Sequence, residues 1–103
     1  TIPHKISIIK FIDELAESAI KAGAVNTLEY KEGVLRGHNT DATGGVRALE
    51  EVYGNMSSAN VVILGAGGAA NALASELVLK VKEITILNRT TENARKISER
   101  LRI

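Results

Sequence analysis

Six residues in the second half of the chain have the composition of a phosphate-binding turn. Residues 65–70 spell GAGGAA, which matches the spacing GxGxxA, and they directly follow the aliphatic run 61–64. In such a turn Gly65 permits the tight bend, Gly67 lets the backbone approach a pyrophosphate, and Ala70 allows the next helix to pack closely. The motif predicts a nucleotide site at a helix N-terminus. The competing interpretation is a glycine-rich turn that holds nothing. The candidate nucleotide contacts are Gly65, Ala66, Gly67, Gly68 and Ala69.

The residues that follow the next predicted strand indicate which nucleotide is bound. Sites for NAD commonly place Asp or Glu about 20 residues beyond the motif, where it binds the ribose 2′-hydroxyl. This chain has Asn88, Arg89 and Thr90 there, without a carboxylate. A guanidinium pairs well with a 2′-phosphate, so Arg89 favours NADP, with Asn88 and Thr90 as further polar contacts. The competing interpretation makes Arg89 a solvated cation and Thr90 a helix cap.

Three more polar residues could bind a substrate or transfer a proton, but each is ordinary when taken alone. Lysines such as Lys5 usually solvate a surface, and an Asn before Thr, as at Asn26, is common in turns. An aspartate such as Asp41 is more often a helix N-cap than a catalyst. Their assignment to one site therefore depends on whether folding brings them together.

The elements that must position these residues begin with a strand end and a helix. Residues 1–5 suit the end of a strand that passes into a loop, because the stretch is short and interrupted by a proline. Residues 7–22 carry apolar side chains at three- and four-residue spacing, which predicts one helix ended by Gly23. Residues 24–30 and 34–38, joined by a turn at 31–33, predict a β-hairpin.

The rest of the chain alternates helix and strand. Capping residues 39–41 predict a helix from about Ala42, and its apolar face would comprise Val46, Leu49, Val52 and Tyr53. Turn-forming residues 54–58 then suggest a domain boundary. The aliphatic runs 61–64 and 84–87, each followed by a helical pattern, predict parallel strands that are buried on both faces.

Composition excludes several classes of function. The chain has 103 residues, and 13 Lys and Arg against 12 Asp and Glu give a net charge of +1, so nothing favours nucleic-acid binding. It has no cysteine and two histidines, which argues against disulfides and against a thiolate or histidine metal site. No apolar run suits a membrane span or a signal segment. We expect a cytoplasmic protein. Because the chain starts at Thr1 and Ile103 closes a helix-like charged stretch, we also expect one that extends beyond both ends.

Five motifs in order resemble those of the shikimate dehydrogenase family. Residues 1–5 (TIPHK) are similar to the end of its Asn-Val-Thr-x-Pro-x-Lys element, and residues 23–27 (GAVNT) are similar to its Gly-Ala-Val-Asn-Thr. Residues 37–41 (GHNTD) resemble its Gly-x-Asn-Thr-Asp. Residues 65–69 and 88–90 resemble its two cofactor loops. The resemblance covers essentially the whole chain.

The resemblance implies a function and a set of site residues. Members of the family transfer hydride reversibly between NADPH and 3-dehydroshikimate, which gives shikimate, a small molecule. Lys5 would be the catalytic acid and base, with Asp41 as its catalytic partner, and both would bind ring hydroxyls of the substrate. Asn26 and Thr1 would be further substrate contacts. No metal is implied. Rival functions are a quinate-accepting or NAD-using dehydrogenase, a nucleotide-binding module without activity, and a purely structural fragment.

The resemblance also implies an α/β fold made of two parts. Residues 1–41 would be part of a substrate-binding domain, 42–58 a linking helix and loop, and 59–103 the first βαβα half of a Rossmann-type NADP-binding domain. The family's Ser-x-Ser substrate element is missing, and Arg95 stands near the place where many relatives carry a second basic residue. Because two parallel strands form a marginal sheet with unpaired edges, we expect the isolated chain to be unstable, or to gain stability by swapping or as a homo-oligomer.

Overall fold

The chain forms two separate sheets with helices packed between and beside them. A computed structural model describes residues 3–103. A 3-10 helix (Ser7–Phe11) leads into β1 (Glu14–Leu15) and α1 (Glu17–Ala22), and the remaining elements are β2 (Thr27–Lys31), β3 (Val34–His38), α2 (Asp41–Tyr53), β4 (Asn60–Leu64), α3 (Gly68–Leu77), β5 (Glu83–Leu87) and α4 (Thr91–Leu101). None of the helices within residues 3–103 is long and apolar enough to cross a bilayer.

The first sheet contains the predicted hairpin. Strands β2 and β3 pair antiparallel, and β1 adds to the other side of β3 in parallel. The turn consists of Glu32 and Gly33, whose φ angles are 51° and 79°. Two successive left-handed residues give the backbone twist that a tight hairpin needs, and glycine takes that conformation readily. The hairpin prediction is confirmed.

The single helix predicted over residues 7–22 is wrong. A 3-10 turn, the two-residue β1 and the short α1 occupy this stretch. The backbone N–H of Asp13 donates to the carbonyl of Leu35 (3.0 Å), and that of Ala16 donates to Gly37 (2.9 Å). Pairing with the open edge of β3 thus satisfies the backbone and overrides the local helical spacing. The predicted stop at Gly23 is confirmed, since its φ is +65°.

Helix α2 begins where the capping residues predicted it, but its predicted apolar face is largely wrong. The side-chain oxygen of Asn39 accepts hydrogen bonds from the N–H groups of Asp41 and Ala42, at 3.0 and 3.2 Å. Val46 is buried against α3. The other three predicted core residues are exposed: Leu49, Val52 and Tyr53. Among residues 3–103, only one side of the helix packs against another element.

The second sheet pairs β4 and β5 in parallel, with Asn60 opposite Glu83 and Leu64 opposite Leu87. Side chains alternate between half-buried and exposed along both strands. The prediction that both faces are buried is therefore wrong for the part of the chain that the structure describes. Helices α3 and α4 cover one face, and we call the other the open face; it carries Val62, Leu64, Thr85 and Leu87.

Helix α3 lies at the centre of the molecule and contributes to all three clusters of buried side chains. Ala72 packs with Ala22 of α1 and Ala42 of α2, and these three methyl groups are almost completely buried. Leu77 packs with Val46 and Met56, while Ala70 and Ala74 pack with Ile97 of α4. Small side chains at the first cluster let three helices approach closely. This contact joins the end of α1 to the start of α2 and to the middle of α3.

Candidate functional site

Lys5 and Asp41 form an ion pair at the junction between the two sheets. The Lys5 Nζ lies 2.5 Å from Oδ2 of Asp41, although 36 positions separate the residues in sequence. The two side chains are 16% and 31% exposed. Lys5 lies in the loop before the 3-10 helix, and Asp41 is the first residue of α2. The structure thus brings together two of the residues predicted for catalysis.

Asn26 holds the carboxylate of Asp41 from the other side. Its side-chain amide donates to Oδ1 of Asp41 and to the Thr40 hydroxyl, both at 2.9 Å. Its side-chain oxygen accepts hydrogen bonds from the Thr40 backbone (3.1 Å) and the Thr27 hydroxyl (2.9 Å). With both ends of the amide engaged, Asn26 fixes the orientation of Asp41. The contact to Thr40 was not predicted, because an Asn and a Thr that lie far apart in sequence give no periodic signal.

The carboxyl group of Asp41 is stabilised in its ionised form. The hydrogen bond from Lys5 is the largest influence and lowers the pKa of Asp41, partial burial raises it, and the hydrogen bond from Asn26 lowers it again. The net result is a pKa below the ordinary 3.8. Asp41 is therefore an anion at neutral pH, and its Lys5 partner is a hydrogen-bond donor that faces it.

The backbone around these side chains is held in place by contacts across the first sheet. The N–H of Val25 donates to the carbonyl of Lys5 at 2.7 Å, which ties the lysine loop to the segment before β2. Asn39, which is 4% exposed, donates from its side chain to the carbonyl of Ala24 at 3.0 Å. The same Asn39 caps α2. The segments that carry Lys5, Asn26 and Asp41 are thus joined to one another.

The glycine-rich turn lies next to the lysine. Gly65 has a φ of +113°, a left-handed conformation that favours glycine. A Cβ placed on Gly65 or Gly67 would meet nothing within 4 Å, so both positions face open space. At Gly68 the same Cβ would collide with the side-chain stem of Lys5. Helix α3 starts here without a side-chain cap, which leaves its first N–H groups available to a phosphate. This geometry fits a pyrophosphate.

One cavity of about 310 Å³ joins the lysine to the turn. Its lining includes Pro3, Lys5, Gly65, Gly67 and Gly68, with Leu64 at the end of β4. The Lys5 stem thus borders the same space as the predicted phosphate turn. A ligand held on the glycines would lie beside the catalytic candidate.

The predicted 2′-phosphate contacts lie at the end of the neighbouring strand. Residues 88–90 follow β5, whose Leu87 carbonyl accepts a hydrogen bond from the N–H of Gly65 at 2.8 Å. Asn88 donates to the carbonyl of Thr90 at 2.8 Å. Arg89 is exposed, and Thr90 occupies the N-cap position of α4 but makes no side-chain capping bond. Their roles toward a nucleotide stay a prediction.

Two further expectations concern Thr1 and metal ions. Thr1, the remaining substrate candidate, lies outside the described residues. Residues 3–103 contain no group of three or more His, Cys, Asp or Glu side chains that could hold a metal ion.

Two family models match the sequence. The family described as "Shikimate / quinate 5-dehydrogenase" matches residues 47–103, and "Shikimate dehydrogenase substrate binding domain" matches residues 1–28. Residues 29–46 lie between the two matches. The predicted limits 1–41, 42–58 and 59–103 stay a prediction.

Similar proteins support the same assignment. The chain is 52% identical to shikimate dehydrogenase (NADP(+)) of Methanothermobacter thermautotrophicus over 100 residues, which is 96% of this chain but 35% of that protein. A crystal structure of a shikimate dehydrogenase in complex with NADP+ superposes with a TM-score of 0.84 at 47% identity, with 99% of this chain and 37% of that one covered.

A third relative is the shikimate 5-dehydrogenase of Thermus thermophilus in complex with NADP(H) and shikimate. It gives a TM-score of 0.80 at 36% identity, with 100% of this chain and 39% of that chain covered. The present chain thus spans well under half the length of the relatives it matches. The predicted α/β fold and the family resemblance are both confirmed. The chain belongs to the shikimate / quinate 5-dehydrogenase family.

Proposed function

We propose that the protein interconverts 3-dehydroshikimate and shikimate with NADP as the hydride carrier. The observation that carries the proposal is the Lys5–Asp41 pair, whose lysine borders the same cavity as the glycine-rich turn. A reductase for a polyhydroxylated ketone needs a proton donor, hydroxyl acceptors and a phosphate cradle in one place. This chain contains residues suited to each need.

Lys5 would supply the proton. Reduction of a ketone places negative charge on its oxygen, and a positioned ammonium stabilises that charge and delivers a proton to the oxygen. In the reverse direction the lysine takes the proton back from the alcohol. Asp41 holds the Nζ of Lys5 and would accept a hydrogen bond from a ring hydroxyl, while Asn26 keeps the carboxylate oriented. We also propose Asn26 and Thr1 as substrate contacts.

The residues present suit NADP as the cofactor. When bound, NADPH supplies the hydride. The turn formed by Gly65, Ala66, Gly67, Gly68 and Ala69 would hold its pyrophosphate, because two of the glycines face open space at an uncapped helix start. Arg89 would pair with the 2′-phosphate, with Asn88 and Thr90 beside it. We propose a cytoplasmic location on the absence of cysteine.

The test compares binding with turnover in the full-length protein that contains this chain. Calorimetric titration with NADPH measures binding, and the absorbance of NADPH formed from NADP+ and shikimate measures turnover. Saturable binding together with turnover supports the proposal. Binding without turnover would instead support a nucleotide-binding module. A higher kcat/KM for quinate than for shikimate, or for NAD than for NADP, would favour the quinate-accepting or NAD-using alternative.

A further inference from the structure

A chain of hydrogen bonds links the end of α1 to the glycine-rich turn through one arginine. Arg100 extends from α4 across the molecule, and its guanidinium donates to the carbonyls of Lys21 (2.9 Å) and Ala22 (3.2 Å). It also donates to the side-chain oxygen of Asn71 at 3.2 Å. These acceptors belong to α1 and α3, so one side chain joins three helices.

The next link runs from Asn71 to the turn itself. The Asn71 side chain donates through its NH₂ group to the carbonyl of Gly67 at 3.0 Å. Asn71 is 7% exposed, and both ends of its amide are used. The orientation of a buried amide is fixed when donor and acceptor are both satisfied. Arg100 therefore fixes the Asn71 side chain, which adds a second hydrogen bond to the Gly67 carbonyl beside the one from the Asn71 backbone N–H, also at 3.0 Å.

The surroundings of the Arg100 guanidinium favour a positive charge at this position. The last carbonyls of α1 carry the partial negative charge of a helix C-terminus, which favours a cation. Arg100 is exposed as a residue, but its guanidinium lies against these carbonyls, and desolvation lowers the pKa of the guanidinium. A Cβ on Gly23 would lie 3.0 Å from the Arg100 Cζ. The glycine that ends α1 thus also leaves room for the arginine.

We propose that Arg100 and Asn71 are positioning residues. They hold the Gly67 carbonyl, and with it the phosphate-binding turn, at a fixed position relative to the end of α1. The segment that follows α1 leads to Asn26, so the relay contributes, beside the packing of Ala22 on Ala72, to the distance between the nucleotide turn and the substrate contacts. Neither residue touches the reacting atoms. The proposal rests on the proposed nucleotide site, and it adds the hydrogen bonds that keep the backbone of that site in one conformation.

The first measurement is the Kd for NADPH of the full-length protein and of four variants: Arg100→Ala, Asn71→Ala, the double variant, and Arg47→Ala as the control. Arg47 is an exposed arginine on α2 that lies outside the relay. Each single variant is expected to weaken binding about 10-fold, because one link of the relay is lost. The double variant should be no weaker than either single variant, since residues of one network are non-additive. Arg47→Ala should bind like the wild type.

A purely structural role for Arg100 gives a different pattern. Arg100→Ala would then lower the thermal midpoint and leave the Kd for NADPH unchanged. Asn71→Ala is a useful second variant, because alanine is a better helix former than asparagine. Helix propensity alone therefore predicts no loss of thermal stability for this variant. Arg100→Lys keeps the charge but lacks the planar fork, so it should recover only part of the affinity. Full recovery of the affinity for NADPH would contradict the role of the planar guanidinium.

A second measurement uses no nucleotide. Hydrogen exchange of peptides that cover residues 19–24 and 65–72 should be faster in Arg100→Ala than in the wild type, while peptides from the β2–β3 hairpin should be unchanged. If exchange at residues 65–72 does not change, the relay is overturned. If exchange changes as expected but the wild type fails to bind NADPH, the relay stands and the proposed nucleotide site fails.

Discussion

At the scale of single residues, the Lys5 ammonium is the group on which the proposed chemistry depends most. Lys5→Ala in the full-length protein should reduce turnover by roughly 10²- to 10⁴-fold, which is the usual contribution of a positioned acid or base. The measurement is kcat with shikimate and NADP+. Lys10→Ala is the matched control, because it removes an exposed lysine that lies over the Phe11 ring. Turnover of Lys5→Ala near that of the control would remove Lys5 from the acid–base role.

The carboxylate of Asp41 should make stability depend on pH in the acid range. Because its pKa is lowered below 3.8 in the folded chain, the carboxylate stabilises the fold fully above that value. The contribution is lost as the pH falls through the folded pKa. Asp41→Asn should therefore lower the free energy of unfolding by about 1 kcal/mol near neutral pH, and the difference from wild type should shrink in acid. Urea unfolding at a series of pH values measures it, and a constant difference would contradict the ion pair.

The site residues could be predicted from sequence only in part. Lys5, Asn26 and Asp41 were ordinary when considered singly, and it was the order of the family motifs that grouped them. Thr40 and Arg100 went unpredicted for the same physical reason: their partners lie on distant elements, so neither spacing nor composition marks them. In the sequence, Arg100 looks like any other charged residue on the solvent side of a predicted helix. Its role depends on how α1 and α4 pack, which local patterns do not encode.

At the scale of elements, the start of α3 has to fit both a nucleotide and the lysine. Gly68→Ala would place a methyl group against the Lys5 stem and push its Nζ away from Asp41. Turnover should fall by about 10- to 100-fold, because small displacements of a catalytic group are costly. The Kd for NADPH should change less than kcat, which separates this effect from a blocked phosphate site.

Gly44→Ala provides the control for that substitution. Gly44 lies in α2, and a Cβ there would meet nothing within 4 Å. Alanine in a helix interior stabilises by roughly 0.5–1 kcal/mol relative to glycine. The variant should keep wild-type turnover with equal or greater stability. An equal loss of turnover in Gly44→Ala and Gly68→Ala would show that the lysine contact is not the cause.

The elements themselves differ in how far local signals determine them. The hairpin and the stop at Gly23 follow from positive φ angles that glycine takes cheaply, so sequence alone predicted them. The helix over residues 7–22 failed because β3 has an edge that Asp13 and Ala16 can pair with. That edge exists only after the hairpin folds, about 20 residues further along the chain. Side-chain periodicity could not reveal this competition.

At the scale of the whole molecule, the open face of the second sheet exposes apolar side chains. Val62 is 57% exposed and Leu64 80% exposed, beside Leu87. Apolar sheet faces and unpaired edges favour association. The isolated chain of 103 residues should therefore self-associate with rising concentration, as sedimentation velocity would show. A monomer with a sharp cooperative melt would contradict this.

Val62→Lys tests whether the open face is responsible. A charge on this face should raise the monomer fraction of the isolated chain, because burying an unpaired ammonium against a second copy is costly. Leu28→Lys is the control, since Leu28 is comparably exposed (51%) on β2 of the first sheet. If both variants dissociate to the same degree, the association does not run through the open face. The homo-oligomer expected from sequence stays a prediction until then.

The three alanines at which α1, α2 and α3 meet have a mechanical consequence. Their methyl groups are almost fully buried and in mutual contact, so the helices have no spare volume there through which to slide. A rotation of one sheet relative to the other would therefore have its axis close to these three alanines. Arg100 of α4 bonds the carbonyl of Ala22 in this same cluster and would oppose the rotation as well. Widening the cavity between Lys5 and Gly67 would then be a rotation about the contact of three methyl groups.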